Sequence, residues 1–141
     1  GVGAYLKSKN KGISIGLADP MGANMYSFFK TGELKSEGSS ITEGIGQGRI
    51  TENIKDMSLD IPFRVNDSEA LNILYDLIEE EGLFLGLSSG INIAGAKKLA
   101  KSLGKDKTIV TILCDSANRY QNKMFNAGFL EENNLPIPSW L

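Results

Sequence analysis

The chain has 141 residues, which suffices for one domain that buries on the order of two thirds of its unfolded surface. A hydrophobic share of 41% and a net charge of −2 exclude a disordered chain and argue against a nucleic-acid partner, which requires a clustered basic face. No apolar run reaches about eighteen residues and no charged-then-apolar leader is present, so we expect neither a membrane span nor a secretory signal.

The chain contains no histidine and a single cysteine, Cys114. Without histidine it holds no Ser-His-Asp or Cys-His system, no His-rich zinc site and no ordinary proton shuttle near neutral pH, so we expect no metal site. Any chemistry must then rely on a cofactor or a lysine. Cys114 follows an apolar run, which predicts a small buried hydrophobe, and a lone cysteine favours a cytoplasmic location.

The first predicted elements are a short helix and a buried strand. Residues 2–9 change from apolar to basic, as at a helix end, and Gly12 is expected to stop the helix in the left-handed conformation. Residues 13–18 are mostly apolar and precede Asp19-Pro20, which predicts a strand that ends before the proline.

A long glycine-bearing segment, residues 21–58, follows this strand. Segments of this length are usually functional or disordered, and the apolar residues 25–29 favour an ordered, functional one. Gly44, Gly46 and Gly48 at alternate positions allow the backbone to pass close to a ligand and to recognise it through main-chain groups. A plain flexible connection is the alternative.

The clearest helix of the chain comes after a strand predicted at residues 60–65. Asn66 is expected to cap this helix while Glu69 reaches back to the cap, which is a capping box. Gly82 should end the helix. Its apolar stripe consists of Leu71, Leu74, Tyr75 and Ile78.

A strand, a helix and another strand complete the pattern. Strands are predicted at residues 83–87 and 108–114, and the helix between them should begin at Ser88-Ser89-Gly90 and end at Gly104. In the proline-bearing tail, Trp140 should serve as an apolar anchor. The residues that this second helix turns inward should be Ile91, Ala94, Leu99 and Leu103.

Strands that alternate with helices and are rich in Val, Ile and Leu predict an α/β fold, with a mostly parallel sheet and helices on both faces. Because the chain opens inside what reads as the end of a helix, we expect residues 1–141 to be a single partial domain of a longer protein.

Ligands of such sheets bind beyond the carboxyl ends of the strands. The long segment, Ser88-Ser89 and residues 115–120 should meet at that edge. The two serines lie at a helix start, which suits anion binding or, for Ser89 in particular, plain capping. Residues 115–120 are likewise open to interpretation as a simple helix cap.

Three motifs carry a family resemblance: SITEGIGQGRIT at 40–51, GLSSG at 86–90, and IVTILCDS at 109–116 followed by Arg119-Tyr120. Together they closely resemble the C-terminal half of bacterial cysteine synthase, within the cysteine synthase and cystathionine β-synthase family of pyridoxal-phosphate enzymes. The resemblance implies the larger-domain part of a fold type II enzyme, with pyridoxal 5'-phosphate as its cofactor.

The resemblance also assigns roles to residues. It implies that Ser88 faces the pyridine nitrogen with a neutral hydroxyl that does not stabilise a protonated ring, and that Asp115 and Ser116 lie nearby in support. It places the substrate beside Glu43, Gly44, Ile45 and Gly46. The family's Schiff-base lysine and phosphate loop match nothing here, so we expect no catalytic residue in this chain and no activity of the chain alone.

The implied reaction of the whole enzyme replaces the acetate of O-acetyl-L-serine with sulfide, through an aminoacrylate, to give L-cysteine. A cystathionine β-synthase-like enzyme and a non-catalytic fragment or scaffold are the alternatives. The resemblance further implies a homodimer and association with serine acetyltransferase.

Overall fold

The computed structural model describes all of residues 1–141. A two-stranded sheet and seven α-helices make up the regular structure, together with one 3₁₀ helix at Ala117–Tyr120. In chain order, the elements are α1 (Val2–Lys9), β1 (Gly16–Pro20), α2 (Met25–Thr31), α3 (Glu52–Lys55), β2 (Ile61–Val65), α4 (Asp67–Glu81), α5 (Leu87–Leu103), α6 (Gln121–Met124) and α7 (Ala127–Glu132). None of these helices is both long and apolar enough to cross a membrane.

The two strands are parallel, with Gly16 opposite Ile61 and Pro20 opposite Val65. Successive side chains of a strand point to opposite faces, and the two faces here meet different helices. Ala18 meets α5, whereas Asp19 accepts a hydrogen bond from the first backbone N–H groups of α2. The predicted α/β fold with a parallel sheet and helices on both faces is therefore confirmed.

Helix α5 lies unusually close to its neighbours because glycines stand at the contacts. A Cβ added at Gly95 would lie 2.5 Å from the Cβ of Ala18 in β1. One added at Gly90 would lie 2.9 Å from the carbonyl oxygen of Ala70 in α4. Glycine thus allows α5 to pack against the sheet and against α4 at backbone contact distance.

The expected capping box of α4 is present and sets where this helix begins. Asn66 Oδ1 accepts from the backbone N–H of Glu69 at 2.9 Å, and Glu69 Oε2 accepts from the backbone N–H of Asn66 at 3.1 Å. Gly82 ends the helix with a φ of 66°, in the left-handed conformation. The stripe residues Leu71, Leu74 and Tyr75 are buried, and Ile78 packs against them.

Two hydrophobic clusters form the core. The larger one joins α4 and the start of α5 to the C-terminal helices, and the smaller one lies where α5 covers β2. The larger cluster consists of Leu71, Leu74, Tyr75, Leu87, Ala117, Tyr120, Met124 and Leu130. The smaller cluster consists of Val65, Ala70, Ile91 and Ala94. Trp140 packs edge to face on Tyr75 with ring centroids 5.6 Å apart, as expected of an apolar anchor.

Two of the four predicted strands are wrong. Leu87 already belongs to α5, and residues 83–86 contribute only one antiparallel bridge, from Leu85 to Ser116. Residues 108–114 form no ladder, and Val110 is 84% exposed. A strand requires a neighbouring strand for its backbone N–H and C=O groups, and residues 108–114 pair with none. Side chains of α5 bind this backbone instead: Asn92 donates to the carbonyl oxygen of Ile112, and Ser89 accepts from the N–H of Cys114.

Three smaller expectations are also corrected. Gly12 does not end α1 in the left-handed conformation; Asn10 ends the helix in an extended conformation, and its Oδ1 accepts from the N–H of Gly12 at 2.8 Å. The first strand begins at Gly16 and includes Pro20, which lies at its end. Cys114 is exposed rather than buried, because the segment that carries it packs into no sheet.

The glycine contact of α5 yields a stability prediction. Gly95→Ala should lower the free energy of unfolding by about 1–2 kcal/mol, because overpacking against Ala18 outweighs the roughly 1 kcal/mol gain in helix propensity. Gly3→Ala is the matched control: its Cβ would lie 3.5 Å from Ile15, an ordinary contact, so stability should stay equal or rise. Urea unfolding followed by circular dichroism measures both, and equal effects would contradict the close approach.

Candidate functional site

The carboxylate of Asp115 binds two hydroxyl groups. Ser88 Oγ donates to Asp115 Oδ1 at 2.8 Å, and Tyr120 Oη donates to Asp115 Oδ2 at 2.8 Å. Ser88 and Tyr120 are buried, and Asp115 is half-buried. The structure therefore brings together Ser88 and Asp115, two of the residues that both the sheet-edge argument and the family resemblance single out.

Gly86 explains how Asp115 approaches the start of α5 so closely. A Cβ at position 86 would lie 2.2 Å from Asp115 Oδ1 and 2.8 Å from the ring of Tyr120. The backbone N–H of Gly86 also donates to the carbonyl oxygen of Asp115 at 2.8 Å. Any other side chain at position 86 would displace the carboxylate that Ser88 contacts.

Ser89 and Ser116 were both candidates for plain helix caps, and only Ser116 is one. Ser89 does not cap α5, whose cap residue is Gly86; its buried hydroxyl instead accepts from the backbone N–H of Cys114 at 2.9 Å. Ser116 does act as a cap, because its Oγ accepts from the N–H of Asn118 at the start of the 3₁₀ helix. Ser116 is exposed, and its expected place beside the cofactor stays a prediction.

The phenol of Tyr120 stays protonated over the physiological range. Burial, the hydrogen bond to Asp115 and the negative charge of Asp115 together raise the pKa of Tyr120 to about 12, with burial the largest cause. The pKa of Tyr75 is also raised to about 12, by burial alone, and its Oη donates to the carbonyl oxygen of Met124 at 2.7 Å. Tyr120 is thus a permanent donor to Asp115 at neutral pH.

The segment 40–49, called the glycine loop below, has two residues in the left-handed backbone conformation. Gly44 and Gly46 have φ angles of 72° and 88°, in the left-handed region, whereas Gly48 does not. A Cβ at Gly46 would lie 2.9 Å from the ring of Pro20. Two bonds from Asn24 tie the far end of the loop down: its N–H donates to the carbonyl oxygen of Gln47, and its side-chain amide donates to that of Gly48.

Asp67 fixes the near end of the same loop. This buried carboxylate, in the first turn of α4, accepts from the hydroxyl of Ser40 and, at 2.9 Å, from the N–H of Ile41. Both ends of the loop are therefore held by hydrogen bonds, which argues for the ordered interpretation over a plain connection. The sequence analysis did not single out Asp67 and did not predict this contact.

Glu43 forms an ion pair across the fold. Lys123 Nζ donates to Glu43 Oε1 at 2.7 Å and to the carbonyl oxygen of Ile41 at 2.9 Å. The hydrogen bond and charge of Lys123 lower the pKa of Glu43, and the charge of Arg119 adds to this. Lys123 lies three residues after Tyr120, which donates to Asp115. The ion pair of Lys123 with Glu43 therefore connects the glycine loop to the group formed by Ser88, Asp115 and Tyr120.

A cavity of about 360 Å³ lies between the end of β1 and the loop. Ile45 and Gly46 line it, whereas Glu43 and Gly44 do not, so the predicted substrate-binding residues divide between this cavity and the Lys123 side. The remaining lining residues are Pro20, Met21, Gly22, Ala23, Gly38, Ser39, Ser40, Thr42, Gln47 and Gly48. Residues 20–23 lie at and just after the carboxyl end of β1, and a strand end is the one signal that could have located them from the sequence.

A parallel α/β sheet with polar groups gathered beyond its strands is typical of a ligand-binding α/β domain. Comparison with known families assigns the chain more specifically. The chain belongs to the family of pyridoxal-phosphate dependent enzymes, whose profile matches residues 1–115. Pyridoxal phosphate is the cofactor of that family.

Relatives agree with this family. The chain is 45% identical over 140 residues to cysteine synthase 1 of Neurospora crassa, covering 96% of this chain and 37% of the relative. It is 43% identical over 140 residues to cysteine synthase 1 of Emericella nidulans, covering 96% of this chain and 38% of the relative. Both relatives are fungal rather than bacterial, whereas the motifs were expected to resemble those of bacterial cysteine synthase.

A solved structure has the same fold. The crystal structure of O-acetylserine dependent cystathionine beta-synthase from Helicobacter pylori matches with a TM-score of 0.73 and 27% sequence identity. The match covers 86% of this chain and 37% of that one. The chain thus spans less than two fifths of the length of these relatives.

The ion pair of the loop yields a second prediction. In Lys123→Met, the pKa of Glu43 should rise towards its ordinary value of 4.5, because the largest cause of its lowering is removed. Titration of the Glu43 carboxyl carbon by NMR measures this. Lys97→Met, on the exposed face of α5, is the control and should leave the pKa of Glu43 unchanged. If the pKa of Glu43 is the same in Lys123→Met as in the wild type, the ion pair is contradicted.

Proposed function

We propose that residues 1–141 are the C-terminal part of a pyridoxal-phosphate dependent cysteine synthase. The whole enzyme would replace the acetate of O-acetyl-L-serine with sulfide to give L-cysteine. The observation that carries the proposal is the buried Ser88 hydroxyl at the start of α5, bound to Asp115 within a chain that is 45% identical to a cysteine synthase.

The residues of this chain fit one edge of the cofactor, its ring nitrogen. Asp115 holds the Ser88 hydroxyl in place at 2.8 Å, and a serine hydroxyl can rotate to donate to, or accept from, a ring nitrogen. When bound, pyridoxal phosphate withdraws electrons from the α-carbon of an amino acid, the chemistry that loss of a β-substituent requires. Ser88 and Asp115 would hold the ring nitrogen, with Ser116 beside them.

The glycine loop would form the substrate side of the site. Gly44 and Gly46 have no side chains, so the backbone of Glu43, Gly44, Ile45 and Gly46 can approach an amino-acid ligand closely. The Glu43 carboxylate is engaged by Lys123, which leaves main-chain groups as the contacts offered to a substrate. The lysine that binds the cofactor covalently, and the loop that binds its phosphate, would lie in a part of the enzyme outside these residues.

The remaining proposals concern the whole protein. Residues 1–141 would form a single partial domain, completed by the rest of the enzyme. The enzyme would be a cytoplasmic homodimer that associates with serine acetyltransferase. These proposals are supported by the similarity to cysteine synthases and by no contact within this chain.

The experiment joins residues 1–141 to the preceding part of Neurospora crassa cysteine synthase 1 in one polypeptide. Purified chimera should bind pyridoxal phosphate and form cysteine from O-acetylserine and sulfide. Residues 1–141 alone are the control and should form none. A chimera that folds but neither binds the cofactor nor turns over would favour a non-catalytic scaffold.

A cystathionine β-synthase-like enzyme is the second candidate, because the matching solved structure is an O-acetylserine dependent member of that class. The two candidates differ in the nucleophile, sulfide or homocysteine. Competition between both thiols in the chimera, with the products separated by chromatography, distinguishes them. Cystathionine as the main product would replace the first candidate with the second.

Ser88→Ala tests the assigned residue. In the chimera it should leave folding nearly unchanged, because only one hydroxyl is lost, while the absorption spectrum of the bound cofactor shifts and turnover falls. Ser102→Ala, which removes an exposed hydroxyl at the far end of α5, is the matched control. An unaltered spectrum and rate in Ser88→Ala would remove Ser88 from the site.

A further inference from the structure

The middle of the glycine loop carries a run of free backbone groups. No N–H or C=O group of residues 43–46 takes part in a hydrogen bond within the chain. Gly44 and Gly46 contribute no side chains that would cover these groups. Backbone groups of this kind bind a ligand well when the rest of the chain holds them still, because little order is then lost on binding. The question is therefore what holds this run in place.

Three separate contacts anchor Ile41, which lies two residues before the free run. Its N–H donates to Asp67 Oδ2 at 2.9 Å, and its carbonyl oxygen accepts from Lys123 Nζ at 2.9 Å. Its side chain packs against the larger hydrophobic cluster. Asp67 belongs to α4 and Lys123 to α6, so two helices hold the same residue. Each hydrogen bond has one charged partner, which makes it stronger than a bond between neutral groups.

The other end of the free run is fixed by Asn24, the residue before α2. Its backbone N–H donates to the carbonyl oxygen of Gln47 at 3.1 Å, and its Nδ2 donates to that of Gly48 at 3.0 Å. Residues 43–46 are thus a short bridge between two fixed points. A bridge of this length has few conformations to lose when a ligand binds.

We propose that Asp67 and Lys123 are positioning residues, which hold the backbone of residues 43–46 where it meets the amino-acid substrate. Both act through Ile41 and not by contact with the substrate. This inference rests on the proposed function. A loop that is ordered before the substrate arrives has less conformational entropy to lose on binding, so the two anchors lower the dissociation constant of the substrate.

The first experiment measures the order of the loop without a ligand. Relaxation of ¹⁵N in the 141-residue chain gives order parameters for the amides of Gly44 and Gly46. Wild type should give values typical of a rigid backbone, roughly 0.85, and Lys123→Met should lower them to below about 0.6. Lys101→Met, an equal charge change at an exposed residue of α5, is the control and should leave them unchanged. A loop that is equally ordered in wild type and Lys123→Met would overturn the inference.

The second experiment measures binding by the chimera loaded with pyridoxal phosphate. L-Serine, an amino acid without the acetate group, is the probe, and calorimetry gives its dissociation constant. Lys123→Met should raise this constant about tenfold, the equivalent of one lost hydrogen bond to a charged group. Asp67→Asn should also raise it, because an amide has only one oxygen to accept the two bonds that the carboxylate accepts. Lys101→Met should not, and unchanged binding in both anchor variants would overturn the inference.

Rescue and the kinetic constants separate positioning from a general structural role. Lys123→Arg keeps a cation that donates to the carbonyl oxygen of Ile41, so it should restore most of the affinity. In Lys123→Met, KM for O-acetylserine should rise while kcat and the spectrum of the ligand-free cofactor stay near those of wild type, because substrate and transition state lose the same contact. A fall in kcat with an altered spectrum would place Lys123 at the cofactor and overturn the inference. If Asp67→Asn fails to fold, the two Lys123 variants carry the test.

Failure of the two proposals is distinguishable. A wild-type chimera that binds no cofactor, while loop order in the 141-residue chain still falls in Lys123→Met, would remove the proposed function and leave Asp67 and Lys123 as structural anchors only. A chimera that makes product, with L-serine bound equally well by wild type and both anchor variants, would keep the proposed function and remove only the positioning role.

Discussion

The close backbone contact of α5 with its neighbours is the constraint on which the rest of the structure depends. Gly95 lets this helix lie against β1, and Gly90 lets it lie against α4. The first turn of the same helix carries Ser88. A methyl group added at either glycine would push α5 away from its neighbour. That shift would loosen the core and would also move the Ser88 hydroxyl that contacts Asp115.

Carboxylates organise both parts of the candidate site, and each does so by accepting hydrogen bonds. Asp67 holds the start of the glycine loop, and Asp115 holds the Ser88 and Tyr120 hydroxyls. Asp19 plays the same part for α2, although burial raises its pKa. Asp19 and Asp67 are buried and Asp115 is half-buried. Removing a carboxylate from water is costly unless its oxygens accept hydrogen bonds, so each of the three is tied to one local geometry.

Local signals in the sequence predicted α4 well and the strands poorly. The capping box needs only Asn66, Glu69 and the helix between them, all within one turn, so its pattern is self-contained. A strand depends on a distant partner. The apolar run 108–114 has the composition of a buried strand. Composition shows that these side chains would gain from burial, but it does not show whether the chain contains a segment that covers them.

The same distinction holds for the site. The proximity of Ser88 and Asp115 could be predicted because each lies in a recognisable motif at the end of a run with the composition of a strand, although neither run forms one. The contact of Lys123 with Glu43 joins residues 80 positions apart, and no local pattern encodes it. Gly86 belongs to a quoted motif, but its steric role becomes visible only when Asp115 is placed beside it.

The exposure of Cys114 has a practical consequence. It is the chain's one thiol, it is exposed, and it is the immediate neighbour of Asp115. A maleimide dye or nitroxide would consequently attach at a single known point within reach of the Ser88 hydroxyl, without any engineering of the sequence. Fluorescence or electron paramagnetic resonance could then follow ligand arrival in real time at that point.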